Sequence, residues 1–564
     1  MTLSVNGQAQ GPVPTPRRVM IVGLDGATWQ LARPWAESGQ LPTFRRLMEE
    51  GAWGALESVR PPVTPAAWSS FATGMNPGKH GLFDFVGRQE GSYGTYVANA
   101  GYRDGAPLWQ LVSRAGRRAT VFNVPATYPP DRVNGLMVSG FLTPAHAADA
   151  AWPPQLQAEL AQAVPQFTFY PPHIYSPGHE GEFVEAVSDL NRATLEAVRY
   201  LLRREPWDLF VAVFVGTDVI QHFLWGHMAR GDADLGDAIL GCYRQMDAAL
   251  AELVAGLGPD DYLLVMSDHG FGPLTHYLHV NSWLAEHGYL RFKRNPLSAV
   301  KFLAYRLGFT PLGVYEKLRA LGLGSHMQET AGERNEWMKA LVQKVFLSLP
   351  DVDWGRTRAY SLGFGGPIFV NLRGREPQGI VEPGAEYEAL RAQIESDLRQ
   401  VVDPETGQPF VGQIHRREEL YTGPHTRRAP DLIFAPRNWS HQPFGTHEFA
   451  SHRWLEPCRD RSGTHRLDGL LALWGPGVRR GAQVEGAAIV DVAPTVLALL
   501  GVPIPADMDG RVLSATLESG LLADLDIAYE EASEQNSSPR PTPEMSAEDE
   551  ELIRRQLRGL GYVA

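Results

Sequence analysis

Cysteine is almost absent from this sequence: Cys242 and Cys458 are the only two among 564 residues, and they stand in unrelated contexts. That excludes a disulfide framework and a CxxC metal knuckle, and leaves two thiols whose default place is the apolar interior. Long apolar runs are also missing. The longest, such as Leu209 to Val215, have the length of a strand and cannot span a bilayer, so no membrane insertion is expected. The polar stretch Met1 to Pro16 has no apolar segment of a secretory signal, and with the shortage of cysteine this predicts a cytoplasmic protein. A basic excess is lacking too: 51 Lys and Arg stand against 64 Asp and Glu, a net charge of −13. Nucleic-acid binding is therefore not expected. An anionic substrate would need a local positive centre, and bound metal is the natural source.

What is present is the composition of an ordinary globular chain, 44% hydrophobic and 20% charged, long enough for more than one structural unit. Arg18 to Leu24 reads as a buried strand ending at Asp25-Gly26, and comparable runs follow at Ala119–Val124, Leu209–Val215, Tyr262–Met266 and Leu470–Trp474. Helix-like segments such as Phe183–Arg203 and Leu235–Leu257 lie between them. This alternation predicts an α/β sheet, mostly parallel, with helices on both faces. The rhythm breaks over 291–430, which reads as an inserted cap or substrate subdomain between two parts of a catalytic core, 17–290 and 431–516. Residues 1–16 read as a flexible leader. Residues 517–564 read as an acidic, Ser- and Pro-rich linker followed by a helix, with Ser546 and Asp549 in capping-box spacing.

Chemistry concentrates at the strand ends, where ligands gather in open α/β sheets. Asp25 follows the first run, Asp218 the third, and Asp268-His269 the fourth, while His465 stands just before the fifth. His222 lies four residues after Asp218, so a helix there would place both side chains on one face. A mixed carboxylate and imidazole set suits zinc or manganese better than calcium. Any one of these residues alone is an ordinary turn or capping residue. Five such segments at one sheet edge are not.

Thr64 opens a helix-like segment, Thr64-Pro-Ala-Ala-Trp-Ser-Ser-Phe-Ala-Thr-Gly74, with Pro at the first helical position and Gly after the last. It reads equally as an N-cap and as a nucleophile. A hydroxyl at a helix N-terminus meets a dipole that favours an alkoxide or a phosphoryl group, and a metal cation would activate it.

Taken together, Gly23-Leu-Asp25-Gly, Pro62-Val-Thr64-Pro, Asn76-Pro-Gly-Lys-His-Gly81, Asp218-x3-His222, Ser267-Asp-His-Gly270, Gly463-Thr-His465 and Asp491-Val-Ala-Pro-Thr495 resemble the alkaline phosphatase superfamily. The likeness is to its type I phosphodiesterase/nucleotide pyrophosphatase branch, and within that to a bacterial phosphohydrolase/phosphomutase group. The resemblance implies an alkaline-phosphatase-like fold and two divalent ions, zinc with manganese as the alternative, about 3.5–4 Å apart. One ion would be held by Asp218, His222 and His465, the other by Asp25, Asp268, His269 and Thr64. It also implies in-line attack by Thr64, a phospho-threonine intermediate, and hydrolysis of phosphate mono- or diesters on a small phosphorylated substrate. A phosphomutase or phosphoryl transferase, and a non-catalytic binding protein of the same fold, are the alternatives.

Two departures from that family's pattern bear on substrate. Phe85 stands where diesterases carry an Asn that contacts phosphate, and Pro65 has no N–H to offer an oxyanion. Asn123 is a substitute donor, weighed against a turn residue. Arg373, Arg375 and the Arg427-Arg428 pair are candidates for a second anion contact, weighed against ordinary surface ion pairs. His276 and His279 are candidates for positions behind the metal ligands.

Overall fold

In a computed structural model of the chain the apolar runs assemble into one nine-stranded sheet. The structure describes residues 17–311, 313–314, 344–404, 406–437, 439–445, 449–459, 461–531 and 545–560. The readings placed on 1–16, on 315–343 of the insert and on 532–544 of the linker fall outside the described residues.

The strands are β1 (Val19–Leu24), β2 (Ala52–Glu57), β3 (Ala119–Asn123), β4 (Gly135–Gly140), β5 (Ala151–Trp152), β6 (Leu209–Phe214), β7 (Tyr262–Met266), β8 (Asp468–Trp474) and β9 (Ala482–Ala488). Their order across the sheet is β9-β2-β8-β7-β1-β6-β3-β4-β5. All run in one direction except β8 and β5. The fold is the expected mostly parallel α/β sheet flanked by helices.

The central strands are continuously apolar because both their faces are covered: every residue of β1, β3, β6 and β7 is buried. Two packs of helices supply the cover. Glu180–Arg204, Gly216–Arg230 and Ala238–Ala255 contact one another, as do Thr64–Thr73, Leu108–Arg114 and Val492–Leu500. Strands β2 and β9 carry Gly, Glu and half-exposed positions at one side of the sheet, and their sequences give no apolar run to read. The last helix, Ala547–Leu560, begins as its capping box predicts, with the Asp549 N–H on Ser546 Oγ at 3.0 Å, and packs against the strand Thr95–Val97.

A second apolar core draws on residues from Leu278 to Phe449 and so extends past both ends of the 291–430 segment. The reason is long-range pairing. His276–His279 lies between His441–Gly445 and Leu455–Pro457 in a separate four-stranded sheet, which brings flanking chain into the insert.

Candidate active site

The direction of β8 builds the site. A residue before a parallel strand would sit at the far edge of the sheet. Because β8 is antiparallel to β7, the chain that enters it arrives at the carboxyl edge of the others. His465 comes in on the short strand Gly463–Arg466, paired with Gly270–Pro273 so that it stands opposite Phe271. Asp25 leaves β1 at that edge, and Asp268 and His269 follow β7. The helix Gly216–Arg230 starts there too and presents Asp218 and His222 one turn apart. All seven predicted residues, Asp25, Thr64, Asp218, His222, Asp268, His269 and His465, are essentially buried.

Their polar atoms converge. His222 Nε2 is 3.3 Å from Asp218 Oδ2 and 3.2 Å from His465 Nε2, and His465 Nε2 is 3.3 Å from Asp218 Oδ1. His269 Nε2 lies 3.4 Å from Asp268 Oδ2, 3.7 Å from Asp25 Oδ1 and 3.9 Å from Asp218 Oδ1. Ligand atoms of Asp218, His269 and His465, and of Asp25, Asp268 and His269, each fall within 4.8 Å of one another. His269 thus stands between the two groups. The imidazoles of His269 and His465 are oriented by backbone: each Nδ1–H donates to a carbonyl, of Gly270 at 3.1 Å and of Pro62 at 2.9 Å, leaving Nε2 as a lone-pair donor. His222 Nδ1 lies 3.0 Å from the Gly463 carbonyl and also touches the Arg461 guanidinium.

Thr64 is the first residue of the ten-residue helix Thr64–Thr73, not its cap. The extended residue before it, Val63, holds that position, and no side chain caps the helix. The Thr64 hydroxyl therefore satisfies no helix N–H. It donates instead to His269 Nε2 at 3.3 Å, within the ligand cluster and at the positive end of the helix.

The groups in this pocket suit a bound cation. Burial, then the neighbouring carboxylates, hold Asp25 and Asp268 well above the usual carboxylate range. Burial pushes the imidazoles down, His222 to about 3 with Arg461 adding to it, and His269 well below its ordinary value. Asp25 Oδ1 and Asp268 Oδ2 are buried and carry no hydrogen bond. Asp25, Asp218 and Asp268, gathered with His222, His269 and His465 in two adjoining buried groups, fit divalent metal ions with mixed oxygen and nitrogen ligands.

The matching family is that of type I phosphodiesterase/nucleotide pyrophosphatase, over residues 19–442. The chain belongs to this family. Among solved structures it resembles phosphonoacetate hydrolase from Sinorhizobium meliloti 1021 in complex with phosphonoformate, at 15% identity and a TM-score of 0.51, covering 86% of this chain and 96% of that one. It also resembles human ectonucleotide pyrophosphatase/phosphodiesterase 5, at 12% identity and a TM-score of 0.49, covering 89% and 100%. At such identities the likeness speaks for the fold alone. Among curated proteins none matches the sequence.

In this family member the remaining candidates are engaged elsewhere. Asn123 ends β3 in a left-handed conformation (φ 60°) and donates its amide to the Val213 carbonyl at 2.9 Å. Arg375 is buried in the second core, bonded to Asp431 and Glu376, and Arg373 pairs with Glu382 at the surface. His276 stacks on His441, and His279 faces Glu456 at 3.6 Å. Phe85 is wholly buried, its ring edge-on to Phe141.

Several supporting residues went unread in the sequence. Trp68 Nε1 donates to Asp25 Oδ2 at 3.1 Å, and Thr217 Oγ1 donates to the Asp25 carbonyl at 2.6 Å. Gln221 bridges the carbonyls of Gly26 and Thr217 at 2.9 and 2.8 Å. Gln221 lies inside the Asp218-x3-His222 motif and Thr217 directly before it, so their spacing was available as a signal. Trp68 and Arg461 had none.

Proposed function

We propose that this protein is a two-metal phosphoric ester hydrolase that works through a phospho-threonine on Thr64. The observation that carries the reading is the Thr64 hydroxyl, uncommitted to capping and held 3.3 Å from His269 Nε2 inside the carboxylate and imidazole cluster.

Asp218, His222 and His465 would hold one divalent ion, and Asp25, Asp268, His269 and Thr64 the other, zinc or manganese by the chemistry of the donors. Such ions supply Lewis-acid stabilisation to the attacking and the leaving oxygen. Thr64 Oγ1 gives its proton to solvent water and forms a bond to phosphorus, opposite the leaving oxygen. The P–O bond to the leaving group breaks, and that oxygen departs with the bonding pair. Water then attacks phosphorus from the vacated side, the P–O bond to Thr64 breaks, and phosphate leaves. The buried helix that starts at Thr64 keeps the nucleophile in line, and its dipole favours the negative charge of both states. Trp68, Thr217 and Gln221 fix the Asp25 loop.

Purified protein with zinc or manganese should hydrolyse p-nitrophenyl phosphate or bis-p-nitrophenyl phosphate. Thr64→Ala should abolish turnover and leave metal content unchanged by elemental analysis. Full metal occupancy with neither ester cleaved would defeat the proposal, and retained activity in Thr64→Ala would remove the nucleophile.

A further inference from the structure

A second feature lies on the insert side of Thr64. Arg88 ends the strand Val86–Arg88, and its side chain is only 6% exposed. Its Nε and Nη1 carry no hydrogen bond. The nearest counter-charge is Glu376 Oε1 at 3.3 Å, but that oxygen already accepts from Arg375 Nε at 2.8 Å and from the Tyr360 hydroxyl at 3.2 Å. Glu376 Oε2 accepts from the Leu372 N–H at 2.9 Å. A buried guanidinium left this way costs stability unless an acceptor arrives.

Across the same cleft, Arg428 touches the Tyr96 hydroxyl and lies 3.2 Å from His425 Nδ1. Among the described residues no carboxylate pairs with it, since the neighbouring Asp104 is engaged by His425 Nε2 at 2.6 Å. The two arginines line a small cleft of about 40 Å³ whose other walls are mainly apolar, including Phe83, Val86, Phe369 and Tyr421. Asp84 also lines it, with its two oxygens taken by the N–H groups of Phe364 and Phe85, both at 2.6 Å.

The cleft adjoins the catalytic cluster. Pro61 and Phe364 line it and also line a second small cleft of about 40 Å³ whose wall includes His465. The Phe364 ring is 5.4 Å from that of His465. Pro61 is three residues before Thr64, so chain geometry keeps it within about 10 Å of the nucleophile.

We infer that the Arg88–Arg428 cleft is a subsite for an oxyanion, carboxylate or phosphate, at the far end of the substrate's leaving group. The inference rests on the phosphohydrolase reading and names its substrate class: a phosphate ester with an apolar body and a second anionic group. The guanidiniums take the distal oxyanion in charge-assisted hydrogen bonds, and the aromatic walls take the body.

The test compares phenyl phosphate with 4-(2-carboxyethyl)phenyl phosphate and 4-(2-phosphonoethyl)phenyl phosphate. The full-length metal-loaded enzyme should favour one or both charged esters by about tenfold or more in kcat/KM. Whichever arm is larger identifies the oxyanion. Arg88→Gln and, separately, Arg428→Gln should bring the ratio towards one, whereas general damage to the fold would lower all three rates together. A wild-type ratio near one, or a ratio unmoved by both variants, overturns the inference. If no ester is cleaved, the hydrolase reading fails, and the subsite is read by calorimetry with 3-phenylpropionate and 2-phenylethylphosphonate. Heat seen with wild type and lost in both variants supports it; no heat with either probe overturns it.

Discussion

His80 is held neutral by its surroundings. It is wholly buried, with Nε2 2.9 Å from Ser70 Oγ and Nδ1 accepting from the Leu82 N–H at 3.3 Å. Burial, with Arg103 adding to it, pushes its pKa down to about 3. The unfolded imidazole titrates near 6.5, so between these values the unfolded chain binds the extra proton. Stability from this group is therefore complete above about pH 6.5 and declines as the pH falls towards about 3, by up to about 1.4 kcal/mol per pH unit. Urea unfolding between pH 7 and 5 should show a shallower pH dependence for His80→Gln than for wild type; equal slopes would show that His80 titrates freely. Trp68 makes a second prediction at this scale. Trp68→Phe keeps one aromatic ring but removes the N–H on Asp25 Oδ2. It should weaken metal binding about 10–100-fold, read by competition with a chelating dye, at little cost to the fold.

At the scale of elements, the contact between β1 and the Thr64–Thr73 helix depends on Gly23. A Cβ at that position would lie 2.4 Å from Trp68 Cη2 and 2.9 Å from Val213 Cγ2. Gly23→Ala must push the indole or the strand aside, costing about 1–3 kcal/mol. Because the helix carries Thr64 and Trp68 holds Asp25, kcat should fall with the melting temperature, while a substitution on exposed Glu185 should leave both unchanged. A drop in melting temperature with undiminished kcat would show that the helix tolerates the shift. The strand runs and helices here were legible from local pattern, since central strands are apolar throughout and the helices carry periodic apolar faces. Strands β2 and β9 were not, because only their partners make them strands. Thr64 likewise reads from its neighbours in sequence equally as a cap and as a nucleophile, whereas in the structure Val63 stands before the helix and the Thr64 hydroxyl faces His269.

Across the whole molecule, the carboxylate and imidazole cluster ties together β1, β6, β7 and β8 through loops more than 400 residues apart in the chain, from Asp25 to His465. Buried carboxylate oxygens without hydrogen bonds, Asp25 Oδ1 and Asp268 Oδ2, weaken this junction, and a bound cation would strengthen it. Zinc at 100 times its dissociation constant should stabilise the fold by about 2.7 kcal/mol. Removing it with a chelator should lower the melting temperature and restore it on re-addition. A melting temperature indifferent to both treatments would argue against a structural role for the cluster.

The sequence by itself determined which residues could carry the chemistry: Asp25, Asp218, His222, Asp268, His269 and His465 stand beside apolar runs at spacings that local turns and one helical turn dictate. It also determined the alternation of strands and helices, because periodicity is a local property. Only the tertiary structure decided how those residues meet. The antiparallel entry of β8 brings His465 to the common edge, and non-local ion pairing commits Arg375 to Asp431. Strand direction, and the partner a charged side chain finds, depend on chain segments far from the residue in sequence, 56 positions for Arg375 and Asp431. No local pattern encodes them.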